Sequence, residues 1–427
     1  MNMSVKKLLR YFVCLAPFWF YIFDVVHLIT ASTYEGIDGS NLLVVVGTFV
    51  FGGVVACYLI VLTHYQKIRV EELCFFSAVA IMFALYMLAG IRFWGNAFWL
   101  LQAMRRSVLH SMIGVLSLYI IRRENCFDIL FEVGKWLGFV GCIAITVRMM
   151  PQLASDWRGV EYFGSMRYQT MGWLCAKMAV LAAINVVTSK NSLFRLLNVS
   201  LIITTFAALF LTGARGAMVA FIIVMLFIVF ASIKKYTYKA LFTYTISGIV
   251  IAAVTYGIAM SIPFVQEFIE AQTRTFNFIS NEGVDMQNRA YLFTTAISLI
   301  YQSPIFGYGF ASSYYIFGIF VHNFLLEFML DGGIFFAFFM VTLMAYRMYQ
   351  WIMAFRSNKN MKGIFAIISV NLVLLVFSSS YYRNAWFWMF IFFTPTIVLA
   401  EDIKLSSKKE STKFYVQELI PRSSSQP

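Results

Sequence analysis

Residues 216–232, with the sequence GAMVAFIIVMLFIVFAS, form an apolar run without a charged side chain. A run of this length matches the roughly 17–25 residues with which a helix crosses the hydrocarbon core of a bilayer. Hydropathy predicts other helices of similar length, and the full set is 11–31, 42–63, 73–90, 103–121, 129–149, 169–188, 195–212, 216–232, 241–261, 323–346, 363–379 and 385–400. The sequence therefore predicts an all-α polytopic membrane protein with about twelve transmembrane helices.

The composition of the whole chain supports this prediction. Of the 427 residues, 61% are hydrophobic and 12% are charged, whereas a soluble domain is about half apolar and a quarter charged. This composition excludes a disordered chain and argues against a soluble enzyme. We expect residues 1–400 to form one transmembrane domain and the polar, Lys- and Ser-rich residues 401–427 to form a disordered cytoplasmic tail.

The positive charges are distributed as a membrane topology predicts. With a cytoplasmic N-terminus, the inner segments hold about twice as many Lys and Arg residues as the outer ones, which is the positive-inside bias. Both termini are then cytoplasmic. The net charge of +13 follows this topology, so we expect no nucleic-acid partner.

The outer positive charges are all Arg, whereas most of the inner ones are Lys. Arg binds phosphate and diphosphate groups in a bidentate manner, which Lys does not. The outer Arg residues therefore indicate an anionic substrate group. The alternative is that they extend to the membrane interface and pair with loop carboxylates.

The longest outer loop spans residues 262–322, between the ninth and tenth predicted helices. Within it, Asp285 is a suitable N-cap for a helix that continues to about Ser303, where Pro304 ends it. The apolar pattern of this helix suits a position on the membrane surface. A second, shorter outer loop covers residues 150–168.

His322 is the candidate catalytic base, because it alone among the four His residues lies at the outer end of a predicted span. The topology places two Arg residues at the same face. Arg215 lies in the turn Thr212-Gly213-Ala214-Arg215-Gly216, and Arg289 lies one turn inside the loop helix. A base with two guanidinium groups suits displacement of a phosphate-type leaving group. The alternative for His322 is a hydrogen-bonding role at a helix end.

Neither Glu327 nor Asp331 is placed to orient the His322 ring. On a continuing helix they lie about 140° and 180° around from it. We therefore expect any orienting carboxylate to come from a loop, and predict a packing and capping role for Asp331-Gly332-Gly333. The loop candidates are Asp156, Glu161, Glu282 and Asp285. These acidic residues lack a DxD spacing, so the sequence predicts no metal.

Charged residues also occur inside the predicted spans, at Asp24, Glu132, Lys135 and Lys177. Such residues are costly if they face lipid. Glu132 and Lys135 are three positions apart near a cytoplasmic helix end, so we expect them to pair. We assign no function to any of the four.

Five motifs in the second half of the chain, taken in their order along the sequence, resemble the C-terminal signature of the bacterial O-antigen ligase/polymerase superfamily. The resemblance covers about residues 210–335, and the family usually carries Glu where Asp331 stands and Gly at Gly333. The motifs are Thr212 to Gly216, Arg289-Ala290-Tyr291-Leu292-Phe293, Pro304-Ile305-Phe306-Gly307-Tyr308-Gly309, His322-Asn323 and Asp331-Gly332-Gly333.

The resemblance implies a GT-C-like membrane glycosyltransferase in the bacterial inner membrane, with the 262–322 loop in the periplasm. Such enzymes use glycans linked to undecaprenyl diphosphate and need neither metal nor cofactor. By matching position, Arg215 and Arg289 would bind the donor diphosphate, and His322 would act on the acceptor hydroxyl. Further substrate-binding candidates are Arg158, Arg167, Arg274 and Arg383. Expected partners are undecaprenyl-diphosphate-linked oligosaccharides, membrane lipids and a chain-length regulator.

We interpret the protein as an O-antigen or related polysaccharide polymerase, with two alternatives left open. A polysaccharide polymerase transfers the growing glycan to a lipid-linked repeat unit, whereas an O-antigen ligase transfers it to lipid A–core. A transporter or flippase of lipid-linked sugars is a third possibility, but it would call for functional charges at mid-membrane and duplicated halves. We see no internal repeat in the chain.

Overall fold

The computed structural model describes residues 3–30, 50–60, 76–77, 80–81, 84, 113–151, 162–163, 166–232, 286–357, 359–377, 380–381 and 384–392. Most of these residues are helical. The predicted span 241–261, the loop segment 262–285 and the tail 401–427 lie outside the described residues, as does most of the predicted span 73–90.

The first half of the chain contributes helices that lie largely within the predicted spans, but the predicted span 11–31 is interrupted by a 3-10 turn and its first helix begins at Met3. The elements are α1 (Met3–Leu15), a 3-10 turn (Ala16–Phe18), α2 (Trp19–Thr30), α3 (Val50–Ile60), α4 (113–123), α5 (Phe127–Ala144) with a π-helical turn (Ile145–Met149), and an antiparallel ribbon of β1 (Tyr162–Phe163) and β2 (Met166–Arg167).

The second half contains the longest helix. Its elements are α6 (Tyr168–Thr188), α7 (Ser192–Leu211), α8 (Arg215–Ser232), α9 (Met286–Gln302), α10 (Ser312–Phe317), α11 (Phe324–Ser357), α12 (Lys359–Phe377) and α13 (Ala385–Phe392). The predicted loop helix is confirmed as α9, which ends two residues before Pro304.

Four of the described helices are long and apolar enough to cross a membrane: Phe127–Met149, Gln169–Thr188, Ser192–Leu211 and Phe324–Ala354. Val50–Ile60, Gly216–Ile228 and Gly363–Phe377 are shorter apolar helices. The protein is thus a polytopic, predominantly helical membrane protein.

Helix α6 lies at the centre of the bundle, where it packs against α5, α7, α8 and α12. Small residues permit the close contact between α5 and α6. A Cβ atom on Gly138 of α5 would lie 2.4 Å from Leu181 Cβ, and one on Gly141 would lie 2.3 Å from Met178 Sδ. Small residues that let backbones approach closely are the usual basis of helix association in membranes, because lipid provides little hydrophobic driving force.

This contact gives a first prediction. Gly138→Val is expected to force α5 away from α6 and to lower the free energy of unfolding by roughly 1–3 kcal/mol, the usual cost of overpacking. The matched control is Gly53→Val in α3, because a Cβ atom there would meet nothing within 4 Å. Thermal unfolding in detergent measures both, and equal melting temperatures for the two variants would contradict the prediction.

The charged residues inside the helices are paired or enclosed. Lys135 and Glu132 form the predicted salt bridge. The Lys177 ammonium lies 4.7 Å from the ring centroid of Tyr21, and the Tyr21 hydroxyl contacts the side-chain amide of Asn371. Lys177 therefore connects α6 to α2, and through Tyr21 to α12.

Candidate functional site

His322 lies in a left-handed turn directly before α11. Its φ is 61°, a value that few non-glycine residues adopt. The turn is stabilised on its C-terminal side by Asn323, whose Oδ1 accepts hydrogen bonds from the backbone N–H groups of Leu325 (3.0 Å) and Leu326 (3.2 Å). Asn323 is thus the N-cap of α11. Backbone conformations of this kind cost about 1–3 kcal/mol and are concentrated at functional sites.

On the N-terminal side, the turn is anchored in a small apolar cluster. Val321 is fully buried with Leu330 of α11 and with Ala296 and Ile300 of α9. Arg289 is the fourth residue of α9. The turn that bears His322 and the helix that bears Arg289 are therefore packed as one unit.

The Pro304–Gly309 motif lies against a break in α11. Gly333 has φ 71° and ψ −168°, which interrupts the helix. The loop takes up the freed backbone groups: Tyr308 N–H donates to Leu330 O (2.6 Å), Gly309 N–H to Asp331 O (2.9 Å), and Ile334 N–H to Pro304 O (2.8 Å). Irregular backbone in a membrane helix is tolerated where protein satisfies it in this way.

Two glycines of the motifs allow the Pro304–Gly309 loop to lie this close to the backbone of α11. A Cβ atom on Gly333 would lie 2.0 Å from the carbonyl oxygen of Ile305, and one on Gly307 would lie 2.5 Å from that of Leu330. Both residues also have positive φ. The motifs Pro304–Gly309 and Asp331–Gly333 therefore form a single backbone contact.

Asp331 uses both of its carboxylate oxygens as acceptors. Oδ1 accepts from the Ser312 backbone N–H (2.9 Å) and from Ser312 Oγ (2.7 Å), at the start of α10. Oδ2 accepts from the Tyr381 hydroxyl. The packing and capping role predicted for this segment is confirmed.

Glu327 is fully buried and contacts the same segment as Asp331. Its Oε2 accepts from Ser380 Oγ (2.7 Å) and from the Tyr381 backbone N–H (3.4 Å). Sequence reasoning considered Glu327 only as a partner of the His322 ring and missed this contact. The available signal was the pair of carboxylates four residues apart in an apolar helix, together with a polar Ser-Ser-Ser-Tyr-Tyr run at 378–382.

Arg215 is the first residue of α8 and follows a tight turn in which Gly213 has φ 64°. The Thr212 hydroxyl donates to Leu209 O (2.7 Å) and closes the end of α7. The turn packs closely on α6, because a Cβ atom on Gly172 would lie 2.2 Å from Ala214 Cβ. The backbone at Arg215 is therefore firmly placed.

The structure does not describe the side chains of most of the predicted site residues. Arg215, Arg289 and Arg167 are described only in their backbone, and Arg167 belongs to β2. The meeting of His322 with the two guanidinium groups stays a prediction. The predicted residues that fall entirely outside the described ranges are Arg158, Arg274, Arg383, Asp156, Glu161, Glu282 and Asp285.

A comparison with protein families gives a match over part of the chain. Residues 200–342 match a family model described as O-antigen ligase, and this range contains the Arg215 turn, α9, the break in α11 and His322. No curated protein matched the chain. Proteins of the matched family are glycosyltransferase-like membrane enzymes. Residues 200–342 of this membrane protein are therefore similar to the O-antigen ligase family, and this match supports a place in the O-antigen ligase/polymerase superfamily.

Proposed function

We propose that the protein is a polysaccharide polymerase of the GT-C type. It transfers a growing glycan from undecaprenyl diphosphate to a sugar hydroxyl of a lipid-linked repeat unit at the periplasmic face. The observation that carries this proposal is the packing of the His322 turn on the helix that bears Arg289, through Val321, Ala296 and Ile300. The family match supports the general chemistry.

In the proposed reaction, the acceptor hydroxyl attacks the anomeric carbon of the donor glycan. A glycosidic bond forms, the bond between the anomeric carbon and the diphosphate oxygen breaks, and the configuration inverts. The acceptor proton passes to the His322 imidazole. Undecaprenyl diphosphate leaves with the electron pair, and the guanidinium groups of Arg215 and Arg289 stabilise its growing negative charge. These two cations supply the electrostatic stabilisation, so the mechanism requires no metal.

We propose the membrane topology together with this function. The chain has twelve spans in the inner membrane, both termini are cytoplasmic, and the 262–322 loop closes over the glycans in the periplasm. The further outer residues Arg158, Arg167, Arg274 and Arg383 contribute to substrate binding. Lipid-linked oligosaccharides, membrane lipids and a chain-length regulator are the partners.

The decisive test is incubation of the purified protein with lipid-linked repeat units in vesicles without an ion gradient, followed by sizing of the products. We expect a ladder of longer lipid-linked oligosaccharides. A protein that only translocates lipid-linked sugars would produce no ladder, and that result would contradict the proposal.

The second candidate is an O-antigen ligase, the activity named in the description of the matched family, which covers both functions. The two functions differ in the acceptor and therefore in the phenotype of a deletion strain. Loss of a polymerase leaves lipopolysaccharide with one repeat unit, whereas loss of a ligase leaves none. Electrophoresis of lipopolysaccharide from the deletion strain distinguishes them, and we expect the one-repeat band.

A further inference from the structure

The end of α12 lies against the turn that bears Arg215. A Cβ atom on Gly216, the residue after Arg215, would lie 3.0 Å from Phe377 Cβ. Phe377 is the last residue of α12. Because the backbone of α8 approaches this side chain so closely, the position of Arg215 depends on the position of the end of α12.

Three residues further along the chain, the same segment contacts α11. Ser380 Oγ donates to Glu327 and the Tyr381 hydroxyl donates to Asp331. Tyr381 is fully buried, and its ring centroid lies 4.7 Å from that of Phe328 and 6.0 Å from that of Phe310. Helix α11 begins two residues after His322. The two carboxylates therefore connect the helix that presents His322 to the segment that contacts the Arg215 turn.

We propose that the Glu327–Ser380 and Asp331–Tyr381 hydrogen bonds are positioning contacts for glycan transfer. They hold the His322 end of α11 at a fixed place relative to Arg215, while neither carboxylate touches the substrate. This inference rests on the proposed function, in which both residues act on the same donor–acceptor pair. Misplacement of a reacting group by about 1 Å costs on the order of 100-fold in rate, so a loosened connection is expected to be visible in kcat.

Two substitutions at Glu327 distinguish a positioning role of its carboxylate from a role in proton transfer. Only Oε2 of Glu327 accepts the two hydrogen bonds from Ser380 and Tyr381. The amide oxygen of Glu327→Gln can accept both, whereas Glu327→Met keeps a similar volume but offers no comparable acceptor. We expect Glu327→Gln to retain at least a third of the parent kcat and Glu327→Met to lose at least tenfold. If Gln and Met were equally inactive, the positioning role would be wrong.

The Tyr381 contact is tested in parallel. Tyr381→Phe removes only the hydroxyl that donates to Asp331, and we expect kcat to fall about tenfold or more while KM changes less than twofold. The matched control is Tyr349→Phe on helix α11, where the side chain is 62% exposed. The assay uses the purified full chain in vesicles with lipid-linked repeat units. A KM increase with unchanged kcat, or equal effects at both tyrosines, would overturn the proposal.

A distance measurement provides a readout that does not depend on activity. Spin labels at Val219 of α8 and Leu325 of α11 report the separation of the two helices; both side chains are partly exposed. The background carries Cys57→Ser and Cys74→Ser, because Cys57 is exposed and Cys74 lies outside the described residues. We expect one narrow distance distribution in the parent and a broader one in the Glu327→Met/Tyr381→Phe double variant. An unchanged narrow distribution would refute the proposed connection.

His322→Ala separates failure of this inference from failure of the proposed function. If His322→Ala abolishes the ladder while Glu327→Met and Tyr381→Phe leave kcat unchanged, only the positioning contacts are wrong. If His322→Ala retains full activity, the catalytic assignment itself is wrong, and the positioning inference is overturned with it.

Discussion

Replacement of His322 by Ala is expected to abolish the polymer ladder while the protein still inserts into the membrane. Loss of a general base costs about 100- to 10,000-fold in rate. Arg289→Ala is expected to have a comparable effect, since removal of one group that stabilises an oxyanion costs roughly 100- to 1,000-fold in kcat. Lipopolysaccharide electrophoresis of complemented deletion strains measures both effects.

Two controls accompany this prediction: an Arg at another position on the predicted outer face, and a substitution at Arg289 that keeps the positive charge. Arg148 is also predicted to be an outer Arg, but its guanidinium donates to the Ile29 carbonyl oxygen (2.9 Å) and is exposed, so Arg148→Ala is expected to retain the ladder. Arg289→Lys keeps the charge but loses the bidentate geometry, and we expect intermediate activity. Normal ladders in both His322→Ala and Arg289→Ala would exclude the proposed roles.

Replacement of Gly333 by Ala is expected to be among the most destabilising single-methyl substitutions in the protein. The conformation at Gly333 (φ 71°, ψ −168°) is one that essentially only glycine adopts, and the added Cβ atom would lie 2.0 Å from a backbone oxygen that cannot turn away. Strain and overpacking together give a loss of more than about 3 kcal/mol. Thermal unfolding and the yield of inserted protein measure it.

Gly318 is the matched control for this substitution. It also has positive φ (69°), but a Cβ atom there would meet nothing within 4 Å. Gly318→Ala is therefore expected to cost only the backbone strain, about 1–2 kcal/mol. Equal destabilisation at both positions would show that the contact between the Pro304–Gly309 loop and α11 contributes little.

The helices could be predicted from the sequence because the constraint on them is local. A membrane-spanning helix must be apolar over a minimum length, so α6, α7 and α8 begin within about three residues of their predicted positions. The end of α9 before Pro304 has an equally local cause, because proline disfavours the helical conformation in the residue before it. The start of α11 beside His322 was predicted from apolar length alone, within one residue.

The connections within the site could not be predicted in this way. Glu327 and Ser380 are 53 residues apart, and Asp331 and Tyr381 are 50 apart, and nothing in either local sequence specifies the partner. The break in α11 was also missed, since the predicted span 323–346 was continuous through Gly333. A break becomes stable only when another segment satisfies the freed backbone groups, and here that segment is Pro304–Gly309.

The sequence by itself determined that the chain is a membrane protein and where α6, α7, α8, α9 and the start of α11 lie, because apolar length and helix-ending residues act over a few neighbouring residues. Only the tertiary structure decided that the Pro304–Gly309 loop satisfies the break at Gly333, and that Glu327 and Asp331 hold Ser380 and Tyr381. The physical reason is that buried hydrogen-bonding groups must find partners wherever the packed helices place them, and those partners are distant in the chain.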